Sequence, residues 1–326
     1  MDLRDWRDAP AELLAPVYEA ERQRWLRTLQ WDSASSWREV EQARITWGLP
    51  GLIAMDGSGA VRGLTFYLQD EDRLDIGGFV SGDEGVTDAL LGGALDAAAA
   101  IGARTIRMLT LDSATALGSG LRVRGFDVEP HYYLSRTVTR PGAVPPAPAS
   151  DAPGLDRWRD DDLEGAASLL HRAYDPASAS LFAPHHERAE WERYLRNLLS
   201  HGGCGVVNRE ATRVVRNGST IEGLALISEI SPGVAHLVQM AVDPRRRGEG
   251  LGRALITAVC GHLAARSCAA LTLLVAASNR PARALYDRAG FRVDARFLRA
   301  TLSPPAHRIL ACHQRAAASS GTMPFS

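Results

Sequence analysis

In the stretch VDPRRRGEGLGRALI, residues 242–256, Arg245, Arg246 and Arg247 run into glycines at 248, 250 and 252, between an apolar segment and one with helical spacing. A helix that opens this way leaves backbone N–H groups unpaired at its N-terminus, where the aligned peptide dipoles also favour negative charge. Glycine lets the backbone approach such an anion closely, and arginine adds forked donors. The chemistry on offer is the seating of a phosphorylated ligand. Two familiar phosphate loops do not fit. The dinucleotide fingerprint needs G-x-G-x-x-G rather than the G-x-G-x-G present, and the P-loop needs a lysine, which the chain lacks altogether.

A second cluster follows: SNRPARALYDRAGF, residues 278–291, carries Asn279, Ala282, Leu285, Tyr286, Gly290 and Phe291. The first stretch, with Arg245, Gly248 and Gly250 in the pattern [QR]-x-x-G-x-[GA], resembles the pyrophosphate signature of the GCN5-related N-acetyltransferase (GNAT) superfamily. The second is similar to that family's N-x-x-A-x-x-L-Y-x-x-x-G-F. The resemblance implies acetyl-CoA as co-substrate, and transfer of its acetyl group to a primary amine by direct attack in a ternary complex. It also implies roles. Backbone amides from Arg247 through Gly248, Glu249, Gly250, Leu251 and Gly252, with Arg245 at the signature position, hold the coenzyme A pyrophosphate. Met240 and Val242 offer a strand edge to the pantetheine arm, Asn279 helps fix the coenzyme, and Tyr286 protonates the departing thiolate. The plainer alternative for Tyr286 is a core aromatic on an amphipathic helix.

An ammonium acceptor must lose a proton before it attacks, and the resemblance implies a base on the strand before the phosphate loop. His236 stands there, and an ordinary imidazole pKa of ~6.5 suits the task. Strict alternation puts it on one face with Val238, Met240 and Val242. A buried strand histidine bonded to a carbonyl is an equal alternative. Phe182, His185 and His186 in SLFAPHHE (180–187), together with Glu229, are candidates to line an acceptor pocket, against the blander reading of solvated loop and edge residues. No third ligand accompanies the two histidines, so no metal is expected. Cys204, the nearest rival as a covalent nucleophile, has no activating partner in the sequence.

The elements that must position these residues occur twice. ALLGGALDAAAAIGARTIRMLTL (89–111) runs from an alanine-rich helix into a strand and on to RGFDVEPHYYLSR (124–136); ALITAVCGHLAARSCAALTLLV (254–275) runs likewise to AGFRVDARFLRA (289–300). Gly125-Phe126 and Gly290-Phe291 lie 165 positions apart. So long a period points to duplicated domains rather than a solenoid. RPGAVPPAPASDAPG (140–154) reads as a semi-extended linker. The expected layout is a GNAT-like domain over 1–139, the linker over 140–154, a catalytic domain over 155–302 and a tail over 303–326. The fold class is α/β with a mixed sheet: two tandem GNAT-like domains, the first degenerate. In the second, helices are expected over 161–174, 186–200, to about 265 and 279–289, with strands at 204–207, 221–230, 234–242, 270–276 and 292–302. A uniform offset sets Asp83 opposite Gly248, Val80 opposite Arg245, Ala114 opposite Asn279 and Leu121 opposite Tyr286. The first copy has therefore lost its anion site.

Bulk properties narrow the function further. The formal net charge is −1 and all 37 basic residues are arginine, so nothing global draws the chain to nucleic acid or an anionic membrane, and no lysine nucleophile exists. Four cysteines without zinc spacing suit reduced thiols in a cytoplasm, and no apolar stretch reaches the roughly 20 residues of a membrane helix. The expected partner is a small-molecule or peptide amine. The tandem layout also resembles the mycothiol synthases, which implies a cysteinyl pseudodisaccharide as one alternative acceptor. A non-catalytic acyl-CoA sensor is the other alternative.

Overall fold

The computed structural model describes residues 1–70, 72–112, 115–138, 154–179, 182–200 and 204–303. The linker before Gly154, the tail beyond Ser303 with Cys312, and Ser180 and Leu181 lie outside the described residues.

The first half comprises β1 (Asp2–Asp5), α1 (Ala11–Leu29), α2 (Ala34–Trp47), β2 (Gly51–Met55), β3 (Val61–Asp70), β4 (Arg73–Ser81), α3 (Glu84–Ala100), β5 (Thr105–Leu111), α4 (Thr115–Val123) and β6 (Asp127–Thr137). The second comprises β7 (Leu155–Arg157), α5 (Leu163–Ala173), α6 (Pro176–Ala179), α7 (Arg188–Ser200), β8 (Val206–Val207), β9 (Arg213–Asn217), β10 (Thr220–Ser231), β11 (Val234–Val242), α8 (Leu251–Ala265), β12 (Ala270–Ala276), α9 (Arg280–Arg288) and β13 (Arg292–Leu302). Strand β9 was not expected from the sequence. Only its Arg213, Val214 and Val215 are buried, too few to give a period.

Both halves share one mixed sheet, ordered β1-β2-β3-β4-β5-β13-β6-β12-β11-β10-β9-β7, with β8 paired to β10. The duplication is visible in it. Strands β5 and β12, and likewise β6 and β13, begin and end 165 positions apart. Yet β6 pairs with β12 and β13 with β5, so each half donates its last strand to the other, and the two donated strands pair antiparallel at the centre. An unpaired edge is costly in strand hydrogen bonds, and the exchange leaves neither β5 nor β12 with one at the junction.

In the second half, α8 turns Leu251, Leu255, Val259 and Leu263 onto Leu237, Leu271 and Leu273, while α5 and α7 cover the opposite face with Leu169, Leu170, Trp191 and Leu195 against Leu224 and Leu226. Leu255 is fully buried. Such a side chain is worth about 1.5–3 kcal/mol of burial, which fixes the start of α8 against the sheet.

Candidate active site

Strands β11 and β12 run parallel and are paired from Val234↔Ala270 to Leu237↔Leu273, and no further. Beyond that point β11 stays bonded to β10 as far as Val242, whereas β12 continues along β6. The two therefore part, and the edge of β11 from Val238 to Val242 faces a wedge. A bulge sits where they part: Leu226 pairs with Gln239 and Ile227 with Leu237, leaving Val238 extra.

The bulge reverses which side chains face which way. Ala235, Leu237, Met240 and Val242 all pack toward α8, while Val238 and Ala241 pack toward α5 and α7. The expectation that His236 shares a face with Met240 and Val242 is corrected here. Simple alternation cannot include an inserted residue, and His236 lies on the other side of the sheet. It is 6% exposed. Its Nδ1 is 2.9 Å from Thr272 Oγ1, and that hydroxyl donates onward to Ala235 O at 3.2 Å. The hydroxyl proton is thus spent on the carbonyl, so Nδ1 carries the imidazole proton and Nε2 keeps the lone pair. Burial pushes the imidazole pKa down to about 4.

At the mouth of the wedge α8 begins. Its N-cap, Gly250, has φ 83° and supplies no side-chain cap; Gly248 has φ 88°. A Cβ at either glycine would meet nothing within 4 Å, so the loop faces open space, whereas one at Gly252 would come 3.0 Å from Leu285. Free helix N–H groups, left-handed glycines and clear space are what a pyrophosphate requires, and the residues fit it. The arginine side chains are otherwise engaged. Arg245 folds back on Asp243, Arg246 pairs with Glu222 and Glu249, and Arg247 donates to Ala173 O at 2.7 Å. Leu251 is buried under α8, leaving its amide as the group that can serve a ligand.

Asp243 holds this loop. Its buried carboxylate accepts from Arg245 N and Nε at 3.0 and 3.1 Å and from Arg172 Nε at 3.0 Å. The Arg245 hydrogen bond, opposed by burial and helped by Arg172, holds the Asp243 carboxyl well below the usual carboxylate range. A depressed carboxylate contributes stability in full above its unfolded pKa of ~3.9 and loses it as pH falls through the folded value. Asp243→Asn is therefore expected to cost about 1.5–3 kcal/mol in urea unfolding at neutral pH, and to flatten the acid end of the stability–pH curve.

Tyr286 projects from α9, buried, with its ring 5.6 Å from Phe291 and its hydroxyl donating toward Met240 Sδ at 3.7 Å. That places the phenol beside the open edge of β11. Burial raises its pKa, so it stays protonated. Asn279 caps α9, its Oδ1 accepting from Ala282 N at 3.2 Å.

The acceptor-side candidates disperse. Phe182 joins an aromatic cluster with Tyr174, Trp191 and Tyr194. His185 is bonded to Glu190 at 2.9 Å, the His186 ring lies 4.7 Å from that of His171, and Glu229 is exposed and accepts from Asn208 at 2.7 Å. Cys204 is half-buried, and desolvation raises its thiol pKa, the opposite of an activated nucleophile. The sequence reading missed Gln239, which accepts from Tyr174 OH at 2.7 Å and donates to Tyr194 OH at 2.8 Å beside the bulge. Its polarity within VAHLVQMAV was the available signal.

The first half lacks the loop. Strand β4 ends at Ser81 and α3 starts at Glu84, while β11 ends at Val242 and α8 starts at Leu251. Between them only Gly82 and Asp83 remain, and Asp83 caps α3 by accepting from Val86 N at 2.9 Å. The uniform offset that set Val80 opposite Arg245 thus slips within the loop, because Val80 belongs to β4. The bulge survives: Phe66 pairs with Gly78 and Tyr67 with Ile76, leaving Gly77 extra.

A family model described as "Acetyltransferase (GNAT) family" matches residues 168–291. The [Ribosomal protein bS18]-alanine N-acetyltransferase of Escherichia coli K12 is 34% identical over 131 residues, 40% of this chain and 74% of that enzyme. The chain belongs to the GNAT acetyltransferase family. This GNAT protein also matches the mycothiol acetyltransferase of Clavibacter michiganensis subsp. michiganensis, 44% identical over 75 residues, 22% of the chain and 24% of the relative. The chain thus spans about a quarter of the length of the mycothiol acetyltransferase it matches. A solved tandem GNAT protein from the clavulanic acid biosynthesis pathway superposes with a TM-score of 0.61 at 17% identity, covering 93% of this chain and 99% of that one. That likeness establishes the fold, two GNAT-like halves. Acetyltransferases of this family generally draw the acetyl group from acetyl-CoA. Among the described residues no helix is long and apolar enough to cross a membrane, and no group of three or more His, Cys, Asp or Glu is placed to hold a metal.

Proposed function

We propose that the second half transfers an acetyl group from acetyl-CoA to an amine by direct attack within a ternary complex. The observation that carries this reading is the juxtaposition of three things: the open edge of β11, the uncapped N-terminus of α8, and the Tyr286 hydroxyl beside Met240. Acetyl-CoA supplies the activated thioester. Amides of 247–252 seat its pyrophosphate, with Arg245 holding the loop through Asp243 rather than touching the anion. The free N–H and C=O groups of Met240 and Val242 extend the sheet onto the pantetheine arm. Asn279 starts α9 in the orientation that aims Tyr286 at the leaving sulfur. His236 Nε2 takes one proton of the acceptor ammonium and later passes it to solvent; Tyr286 gives its proton to the departing thiolate, and the second proton that the nitrogen sheds on becoming an amide returns to the Tyr286 phenolate, so the proton count closes.

Two acceptor classes are supported by the names of relatives: a peptide N-terminal amine, from the ribosomal-protein acetyltransferase, and a cysteinyl pseudodisaccharide, from the mycothiol acetyltransferase. Thiol release from acetyl-CoA, followed with an alanine-initiated peptide and with a cysteinyl glucosamine-inositol in parallel, distinguishes them. Turnover with one at least tenfold above the other assigns the class. Acetyl-CoA binding with no release for any amine returns the protein to the sensor reading.

A further inference from the structure

The histidine assigned as base is not enclosed by its own half alone. Tyr133, on the donated strand β6, stacks on the His236 ring at 5.9 Å between centroids and 14° between planes. Trp31, from the turn after α1, lies 5.3 Å from the same ring at 47°. Both come from the first half.

The turn is built to hold Trp31 there. Gln30 ends α1 in the left-handed region, φ 56°, which swings the chain back so that Trp31 meets Trp25 edge-on at 5.4 Å. Asp32 N then donates to Ser231 Oγ at 2.6 Å and to Ile230 O at 3.3 Å, stitching the turn to the β10–β11 hairpin. Tyr133 OH closes the frame by donating to Leu29 O at 2.9 Å.

We propose that Trp31 is a positioning residue for acetyl transfer: with Tyr133 it walls the His236 imidazole from water and fixes its plane, so the half that has lost its phosphate loop controls the base of the half that retains one. The inference rests on the assignment of His236 as base.

The groups around the ring leave this wall as the main influence on it. On β12 the neighbour is Thr272, uncharged and already donating to Ala235 O. On β6 the titratable neighbour is Tyr133, kept protonated by burial. On the turn the nearest carboxylate, Asp32, is held by Arg22 at 2.6 Å, and on β10 Glu229 accepts from Asn208. No opposite charge compensates a buried imidazolium, so removing the aromatic cover admits water and favours the protonated form. The π faces of Trp31 and Tyr133 would favour the cation, but desolvation outweighs them, consistent with a folded pKa near 4.

The test uses the full-length chain. The ring C2–H of His236, assigned by its loss in His236→Gln, is titrated by NMR in the wild type, Trp31→Ala and Trp31→Phe, and the pH profile of kcat/KM is recorded alongside. In Trp31→Ala the His236 midpoint should rise by at least one pH unit and the acid limb of kcat/KM should follow it upward. Trp31→Phe should restore both, and the Kd for acetyl-CoA should stay within twofold throughout, showing that the chain is folded. A His236 midpoint unmoved in Trp31→Ala overturns the inference while leaving the base assignment intact. A midpoint that rises under a fixed acid limb upholds the hold of Trp31 on the imidazole and removes His236 as the base.

Discussion

Tyr286→Phe should lower kcat by about 10²-fold or more while leaving the Kd for acetyl-CoA within a factor of two, since a positioned acid typically contributes 10²–10⁴-fold. The substitution removes one oxygen and keeps the ring that packs on Phe291, so the burial of α9 is preserved. That oxygen is the group of Tyr286 beside the open edge of β11, and it donates there to the weak acceptor Met240 Sδ at 3.7 Å. It is thus free to serve a sulfur leaving group. Calorimetric binding together with single-turnover thiol release separates the two terms. Wild-type turnover in the variant would remove Tyr286 as the acid and place it in the core.

The second large effect is expected at the anion seat. Gly250→Asp should weaken acetyl-CoA binding by about 10²-fold, with Gly250→Ala milder. At φ 83° a side chain costs roughly 1–2 kcal/mol, so the residue either carries that strain or lets the amides of α8 turn away. An aspartate adds a like charge and its own carboxylate as a cap, the arrangement that Asp83 already makes with Val86 N in the first half. Near ~1.4 kcal/mol per tenfold, strain and repulsion together reach that range. Isothermal titration with acetyl-CoA measures it directly. Unchanged affinity in Gly250→Asp would move the pyrophosphate away from α8.

Much of this was legible because it lives in local pattern. Helix α8 announces itself by Leu251, Leu255, Val259 and Leu263 on one stripe, and the duplication by strands that keep a 165-residue spacing to the residue. The glycines of the loop carry their own reason, since left-handed backbone selects them. The bulge was not legible, because Val238 is an ordinary β-branched residue and only its partners on β10 reveal it as extra. Misplacing His236 by one face followed from that. The donated strands were invisible for a different reason. β6 and β13 are copies with the same strand pattern, so their hydrophobic order is satisfied with either β5 or β12 as neighbour. Trp31 and Tyr133 could not be connected to His236 until that choice was known.

The donated strands also bear on what the chain is free to lose. Without Gly248 and Gly250 counterparts, the first half has no anion seat to preserve, and in a protein of separable modules such a half could be deleted at little loss. Here excision at the linker would take β6 from beside β12 and strip β13 of both its neighbours. The silent copy is therefore retained by architecture, as scaffolding that cannot be dismantled while the working copy stands, and β5, β6 and the Trp31 turn are the places where it holds its partner.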